Sequence, residues 1–211
     1  MCDHAIENVV EYYILCNRLK DVIRTGWKDW NVQRNRLESV AEHIYGTQML
    51  AIAMYSEFDY QLDLKKVLMM LAVHELEEIV IGDLTMFQIS KEEKIKKGHE
   101  AVKKIVSHLN MKENLYSLIL EFDERKTKEA YFAFQCDKLE CDLQSYLYDR
   151  ENCVDLSKQK NNSTYFDADV QSLLKKNLSF SQMWSSFSEK KYNYDPNFIS
   201  IEEYIKEQDK Q

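Results

Sequence analysis

The segment AVHELEEIVIGDLT, residues 72–85, places one histidine and four acidic residues in the most apolar part of the chain. They are His74, Glu75, Glu77, Glu78 and Asp83. Burying a charged group is costly unless the group is paired, hydrogen-bonded or bound to a metal. These side chains therefore either all face solvent or form a site. Imidazole and carboxylate groups together are a donor set that suits a divalent cation.

Helical spacing favours a site. At about 100° per residue, three of these polar residues continue an apolar stripe instead of opposing it. The stripe consists of Leu64, Val67, Leu68, Leu71, His74, Glu75 and Glu78. Glu77 falls on another side and is predicted to be solvated. A lone histidine on an apolar face is more often a hydrogen-bonded core residue, but three polar groups on one face favour a site.

Two further helical stripes carry a histidine or a carboxylate among apolar residues. One consists of Val40, His43, Thr47, Leu50 and Met54, and the other of Ala130, Ala133, Phe134, Asp137, Cys141, Gln144 and Tyr148. His43 and Asp137 can therefore join His74 and Glu75 around one divalent cation. The alternatives are a packing role for His43 and an ion pair with lysine or arginine for Asp137.

The whole chain has helical patterns and no useful strand-type alternation. Its 211 residues include one proline and four glycines, too few for the many tight turns of an all-β fold. Ser39, Ser90 and Ser200 begin capping boxes, Asp63 is a further N-cap and Gly82 is a natural helix end. The expected helices cover residues 5–23, 39–55, 63–82, 90–109, 112–122, 128–149, 167–177, 180–189 and 200–209. The fold class is predicted as all-α, a single domain over residues 1–211.

Residues 24–38 connect the first two predicted helices and contain Trp27, Trp30 and three arginines. This loop is interpreted as too polar for the core and too aromatic for an idle linker. Loops of this length in compact domains are often functional. The tryptophans are expected either to stack on a substrate or to form a hydrophobic lid.

Composition limits the function classes. The net charge of −8 gives no support to nucleic-acid binding, because a phosphate backbone attracts basic surfaces. There is no apolar run of membrane-spanning length and no signal peptide, so no membrane association is expected. Five cysteines without a CxxC pair are interpreted as reduced thiols of a cytoplasmic protein.

Five sequence pieces, in order, resemble the HD-domain metal-dependent phosphohydrolases, and within them the 5′-deoxynucleotidase branch. They are LKDVIRTGW (19–27), ESVAEHIYGTQML (38–50), AVHELEEIVIGDLT (72–85), SKEEK (90–94) and QCDKLECDLQ (135–144). The resemblance runs from about residue 10 to residue 150. It implies an HD-type helical bundle with the metal site between central helices, and residues 151–211 form a C-terminal helical extension.

The resemblance implies a role for each site residue. His43, His74, Glu75 and Asp137 hold one divalent metal, which is Co, Mn, Fe, Ni, Zn or Mg. Glu78 and Asp83 act in catalysis. Arg24 binds the substrate phosphate. Apart from the resemblance, Trp27 is a further substrate-binding candidate, because it lies close to Arg24 in sequence and its ring can stack on a base.

One residue departs from the family pattern, in which histidine is followed by aspartate. Here the pair is His74–Glu75. The extra methylene of glutamate moves the carboxylate outward, and metal ligands tolerate only small errors in distance. Weaker metal binding or an altered choice of metal is expected.

The expected function is hydrolysis of (deoxy)nucleoside 5′-monophosphates to nucleoside and phosphate, with a small-molecule nucleotide as partner. One alternative is a phosphohydrolase that acts on another phosphorylated metabolite. The other is a non-catalytic HD scaffold that binds nucleotides or protein partners, which the substitution at Glu75 keeps open. The family often forms homodimers, for which the late helices are a candidate interface.

Overall fold

The computed structural model describes residues 2–85, 87–160, 162 and 164–208, without the side chains of residues 2 and 3. This part of the chain forms α-helices, two short 3-10 segments and no β-strand, which confirms the all-α prediction. The helices are α1 (Cys2–Asn17), α2 (Thr25–Asp29), α3 (Val40–Glu57), α4 (Leu64–Val73), α5 (Glu78–Ile81), α6 (Lys91–Val106), α7 (Lys112–Glu124), α8 (Lys128–Arg150), α9 (Ala168–Leu174), α10 (Phe180–Lys191) and α11 (Pro196–Gln208).

The chain folds as two compact units. The first comprises the residues up to Thr25 and Glu38–Phe134, and the second comprises Gly26–Leu37 and Gln135–Gln211. Helix α8 runs through both units. The prediction of a single domain over the whole chain stays a prediction.

Each unit has its own apolar core. In the first unit, α3, α4, α6 and α7 bury a cluster that consists of Leu19, Val40, Val73, Leu76, Val102, Ile105, Val106, Leu115 and Ile119. In the second unit, aromatic residues dominate a cluster that consists of Trp27, Trp30, Val32, Tyr148, Cys153, Val170, Leu173, Phe180 and Met183. Burial of such large apolar side chains is the main stabilising contribution to each unit.

Side-chain caps begin several helices at the predicted residues. The Ser39 side chain accepts a hydrogen bond from the Glu42 amide, and the Glu42 carboxylate accepts one from the Ser39 amide, which completes a capping box. Asp63 and Ser90 cap α4 and α6 with their side chains. The predicted cap at Ser200 was wrong.

Helix α11 begins earlier, at Pro196, because two features start it there. Proline is well suited to the first helical position, where an amide hydrogen is not needed. The Asp195 carboxylate accepts hydrogen bonds from the amides of Asn197 and Phe198. Ser200 therefore lies inside the helix, and its hydroxyl donates to the Pro196 carbonyl.

The predicted single helix over residues 63–82 is interrupted. Helix α4 ends at Val73, and residues 74–77 form turns before the four-residue α5 begins at Glu78. In these turns the amides of Leu76 and Glu78 bond to carbonyls three residues back, as in a 3-10 helix. Gly82 then ends α5 with a positive φ of 75°, a conformation that glycine adopts at low cost.

The segment of residues 24–38 was predicted to be too polar for the core, and for its two tryptophans this prediction was wrong. Trp27 and Trp30 are 2% and 1% exposed. Trp27 packs edge-on against Tyr148, with ring centroids 5.2 Å apart, and Trp30 packs against Phe180 at 5.4 Å. Lys28, Asn31 and residues 33–36 of the segment stay exposed while these indoles complete the core of the second unit.

Four cysteines are described, and none of them forms a disulfide: Cys16, Cys136, Cys141 and Cys153. The side chain of Cys2 lies outside the described residues. Among the helices that the structure describes, none is both long enough and apolar enough to span a bilayer.

A buried pair of carboxyl groups joins α8, α10 and α11 in the second unit. The side chains of Asp142 and Glu202 are fully buried and hydrogen-bonded to each other, which requires a proton on one of them. Ser188 and Tyr194 donate to the two oxygens of Asp142 at 2.6 and 2.8 Å. Burial first, and then the nearby Glu202, raises the pKa of Asp142 well above its usual range, and burial also raises the pKa of Glu202.

Stability should therefore fall as the pH rises. A carboxyl group whose pKa is raised by folding binds its proton more tightly in the folded state. Its stabilising contribution is complete below the unfolded pKa, near 4, and is lost as the pH rises toward the folded pKa. We expect the free energy of unfolding in urea to fall as the pH rises above about 5, and Asp142→Asn to reduce this fall. The exposed Asp169→Asn is the control, and an Asp142→Asn protein with the same pH dependence as the control contradicts the prediction.

Candidate metal and phosphate site

His43 lies in the first turns of α3, where the capping box at Ser39 fixes the start of the helix. The backbone leading into the helix is held as well, because Ile23 and Ser39 form an isolated β-bridge and the Arg24 amide donates to the Glu38 carbonyl at 3.0 Å. The His43 side chain is completely buried. The local sequence therefore places a rigidly held imidazole inside the first unit.

His74 occupies the C-cap of α4, and its imidazole is also buried. Its Nδ1 lies 2.8 Å from the carbonyl oxygen of Leu71. A carbonyl oxygen can only accept, so Nδ1 carries the proton and Nε2 presents a lone pair. This is the arrangement by which metal-binding histidines are usually oriented.

Glu75 brings a carboxylate to both imidazoles. Its Oε1 lies 4.0 Å from Nε2 of His43 and 3.8 Å from Nε2 of His74, and ligand atoms of the three residues all lie within 4.8 Å of one another. Atoms that bind one ion at about 2.1 Å lie roughly 3–4 Å apart. The three buried side chains therefore fit a divalent metal, and the turn after α4 lets glutamate reach where the family pattern has aspartate.

A cation and a second carboxylate adjoin this cluster. Nη1 of Arg24 lies 3.6 Å from Oε1 of Glu75 and 3.7 Å from Oδ1 of Asp83. Thr25 holds Asp83 twice, because its amide donates to Oδ2 and its hydroxyl donates to the Asp83 carbonyl, both at 2.5 Å. The guanidinium can donate parallel hydrogen bonds to a phosphate at this place.

Glu78 lies at the start of α5 and is 1% exposed. Nζ of Lys94, on α6, lies 3.1 Å from its Oε1. Burial, followed by the nearby charges of Glu75 and Asp83, raises the pKa of Glu78 well above its usual range, while Lys94 and Arg24 oppose this shift. Glu78 is therefore a carboxyl group that can hold a proton within the site.

Glu77 is partly buried and its carboxylate oxygen Oε2 is shielded from solvent, so the prediction that it is solvated was wrong. Its Oε2 has no hydrogen-bond partner among the described residues, and burial followed by the charge of Glu75 raises its pKa to about 8. A Cβ at Gly98 would lie 3.2 Å from Cγ of Glu77, so α6 approaches this side chain closely at a glycine. The interruption after Val73 turns Glu77 toward α6, which a continuous helical wheel does not anticipate.

Two predicted site residues belong to the second unit. Asp137 is buried on α8, and Nζ of Lys138 lies 2.8 Å from its Oδ2, which is the kind of ion pair that the alternative expected. Its role as a metal ligand stays a prediction. Trp27 lies between Tyr148 and Trp184. Since aromatic neighbours cover its ring, this placement favours packing over stacking on a substrate.

A comparison with protein families places these residues in a known context. A model of the HD domain matches residues 16–179, which is most of the chain. The chain belongs to the HD domain family. The match extends past residue 150, where the sequence resemblance was expected to end, and so includes part of the C-terminal extension.

Curated relatives of this HD domain protein carry the name 5′-deoxynucleotidase. The HDDC2 protein of Dictyostelium discoideum is 31% identical over 69% of this chain and 80% of its own length. The human HDDC2 protein is 33% identical over 69% of this chain and 71% of its own length. The hdd1 protein of Schizosaccharomyces pombe is 30% identical over 68% and 74% of the two chains.

Solved structures agree with the HD domain fold. A conserved hypothetical protein from Pyrococcus furiosus has a TM-score of 0.59 and 25% identity, over 77% of this chain and 98% of that one. A predicted metal-dependent phosphohydrolase from Magnetospirillum magnetotacticum has the same TM-score at 16% identity, over 95% of this chain and 93% of that one. At this identity the similarity indicates a shared fold only. HD domain phosphohydrolases depend on a metal, and the buried His43, His74 and Glu75 could bind a divalent ion.

Sequence reasoning missed the residues that hold the candidate catalytic groups. Thr25 gives no signal in a helical wheel because it lies in the segment before α3, far along the chain from Asp83. Lys94 lies in the SKEEK piece of the resemblance, but a lysine on a charged helix has no distinguishing spacing. Both became visible only through the contacts with Asp83 and Glu78.

Proposed function

We propose that this chain is a metal-dependent phosphomonoester hydrolase that converts (deoxy)nucleoside 5′-monophosphates to nucleoside and phosphate. One observation carries the proposal. The two imidazoles of His43 and His74 lie close to the carboxylate of Glu75, and the guanidinium of Arg24 lies beside that carboxylate. One bound phosphate could contact this whole group. The relatives named 5′-deoxynucleotidase support the substrate class.

In this proposal His43, His74, Glu75 and Asp137 hold one divalent metal. When bound, the metal supplies positive charge that polarises the phosphate and favours ionisation of water. Three of the four ligand side chains are present in the first unit with suitable spacing. Asp137 enters as the fourth on the strength of the resemblance.

The chain's own residues bind the substrate and move protons. Arg24 pairs with the phosphate through its planar fork. Asp83, held by Thr25 and facing Arg24, accepts a proton from the attacking water. Glu78 donates a proton to the oxygen of the departing nucleoside, or orients the water. The proposed acid, Glu78, is buried beside Lys94, and the proposed base, Asp83, lies beside Arg24. The two carboxyl groups therefore have different surroundings.

We also propose that the chain forms a homodimer through the outer face of α1; an interface at the late helices stays a prediction. The inner face of this helix packs on the core of the first unit through Tyr12, Leu15 and Cys16. Its outer face exposes between 49% and 65% of five apolar residues: Ile6, Val9, Val10, Tyr13 and Ile14. Two such faces packed together bury an area on the order of the 1,000 Å² that a specific interface needs. In this proposal, the partner that covers the face is a second copy of the chain.

A phosphate-release screen tests the proposed activity. The purified protein is first stripped with a chelator and then supplied with Mn²⁺ or Co²⁺. We expect it to release phosphate from nucleoside 5′-monophosphates and to lose this activity when the metal is withheld. Release from other phosphomonoesters but from no nucleotide would favour the alternative metabolite hydrolase. Metal binding without release from any phosphomonoester would contradict the proposal.

A further inference from the structure

Lys94 connects two segments of the candidate site. From α6, its Nζ donates to Oε1 of Glu78 and to the carbonyl oxygen of Leu84, both at 3.1 Å. Its side chain is 29% exposed, so the ammonium group is largely sheltered from water. One cation therefore ties the start of α5 to residues 82–85, the segment that carries Asp83.

The contact leaves the two oxygens of Glu78 in different states. Oε1 accepts from Lys94, whereas Oε2 is buried and has no hydrogen-bond partner among the described residues. A buried acceptor without a partner is costly in a folded protein and is common where a ligand supplies the missing contact. With Oε1 held, the carboxyl group cannot rotate freely, and Oε2 is the oxygen left to meet a substrate.

The tether to Leu84 acts on the second catalytic candidate. Asp83 precedes Leu84 directly, and its side chain accepts a hydrogen bond from the Thr25 amide. Neutral hydrogen bonds are weaker than those that involve a charged donor, so the ammonium group is a strong anchor for this carbonyl. Lys94 and Thr25 thus fix residues 82–85 at two points.

The cation also balances the local charge. Glu75, Glu77 and Glu78 each act on Lys94 and, against the effect of burial, raise its pKa above the usual range. A lysine that served only to make α6 soluble would face water, as Lys97 does in its exposed pair with Glu93.

We infer that Lys94 is a positioning residue, which holds Glu78 through Oε1 and residues 82–85 through the Leu84 carbonyl so that Glu78 Oε2 and Asp83 face the substrate together. The inference deepens the proposed hydrolase and rests on it for the kinetic consequences. The tether itself is a property of the chain without substrate. It can be tested apart from activity.

The kinetic test compares Lys94→Met, which keeps the aliphatic stem and loses both donors, with Lys94→Arg and the control Lys97→Met. For phosphate release from a deoxynucleoside monophosphate, we expect Lys94→Met to lower kcat about 10–100-fold with KM within about threefold, because placement within 1 Å is worth such factors. Lys94→Arg should recover a substantial part of kcat. Bound metal should match the control, and Tm should fall because Glu78 loses its buried partner.

A double-mutant cycle separates positioning from a general structural role. If Lys94 acts through Glu78, adding Lys94→Met to Glu78→Gln should lower kcat by much less than it does in the wild-type protein. An equal, additive loss in both backgrounds overturns the inference, as does wild-type kcat in Lys94→Met.

Hydrogen exchange provides the readout that needs no turnover. Amides of residues 82–85 should exchange faster in Lys94→Met than in the wild-type and Lys97→Met proteins, because the Leu84 carbonyl has lost its anchor. Unchanged exchange in this segment overturns the tether. An inactive wild-type protein with faster exchange in Lys94→Met would refute the proposed function while retaining the tether.

Discussion

Replacing His74 by alanine should lower metal affinity by at least about 100-fold and reduce phosphate release to background. The imidazole is oriented by its bond to the Leu71 carbonyl, and its Nε2 faces Oε1 of Glu75 at 3.8 Å. Removing a residue that is only hydrogen-bonded to a metal ligand lowers metal affinity or activity about 10–100-fold. Removing the ligand itself should therefore lower them further. Metal content by mass spectrometry after equilibrium dialysis measures the first effect, and released phosphate measures the second.

The control for this variant is His108→Ala, which removes an exposed imidazole from the same unit. It should keep wild-type metal content and activity. Glu75→Gln should behave like His74→Ala, because an amide oxygen lacks the carboxylate charge. Full metal occupancy in both His74→Ala and Glu75→Gln would show that the ion, if bound, is held elsewhere.

Replacing Glu78 by glutamine should lower kcat by at least about 100-fold while the protein keeps its metal. Proton transfer by a positioned carboxyl group contributes about 10²–10⁴-fold to rate, and an amide of the same shape cannot provide it. Glu78 is 1% exposed and lies beside Lys94. The replacement of Asp83 by asparagine should give a loss of similar size by removing the proposed base.

The comparison for these variants is Glu93→Gln, a change of the same chemistry at an exposed carboxylate on α6. Steady-state assays at saturating substrate report kcat, and the metal content is measured on the same samples. The proposed roles fail if Glu78→Gln and Asp83→Asn both turn over at the wild-type rate. A parallel loss of metal would instead reassign them as ligands.

The helical wheel predicted the buried faces of His43 and His74 correctly for a local reason. His43 faces the core because α3 is a regular helix whose start is fixed by a capping box, so spacing along it predicts direction. His74 lies at the end of α4, which is regular up to Val73. For these two residues the sequence carried all the information that was needed.

The same wheel failed where the backbone departs from one helix. The turns at residues 74–77 redirect Glu77 into the protein, and the bonds that form them depend on packing that no single-sequence pattern reports. Thr25 and Lys94 were missed because their importance lies in contacts with Asp83 and Glu78, which are distant in sequence or on another helix. Trp27 was misread because composition alone did not reveal the aromatic core of the second unit.

The most direct test of the metal centre is anomalous scattering from crystals grown with Mn²⁺. The account predicts one strong peak about 2.2 Å from Nε2 of His43, from Nε2 of His74 and from a carboxylate oxygen of Glu75, as expected for ligands of one ion. A map with no peak among these three side chains, or with its only peak at another place in the protein, would contradict it.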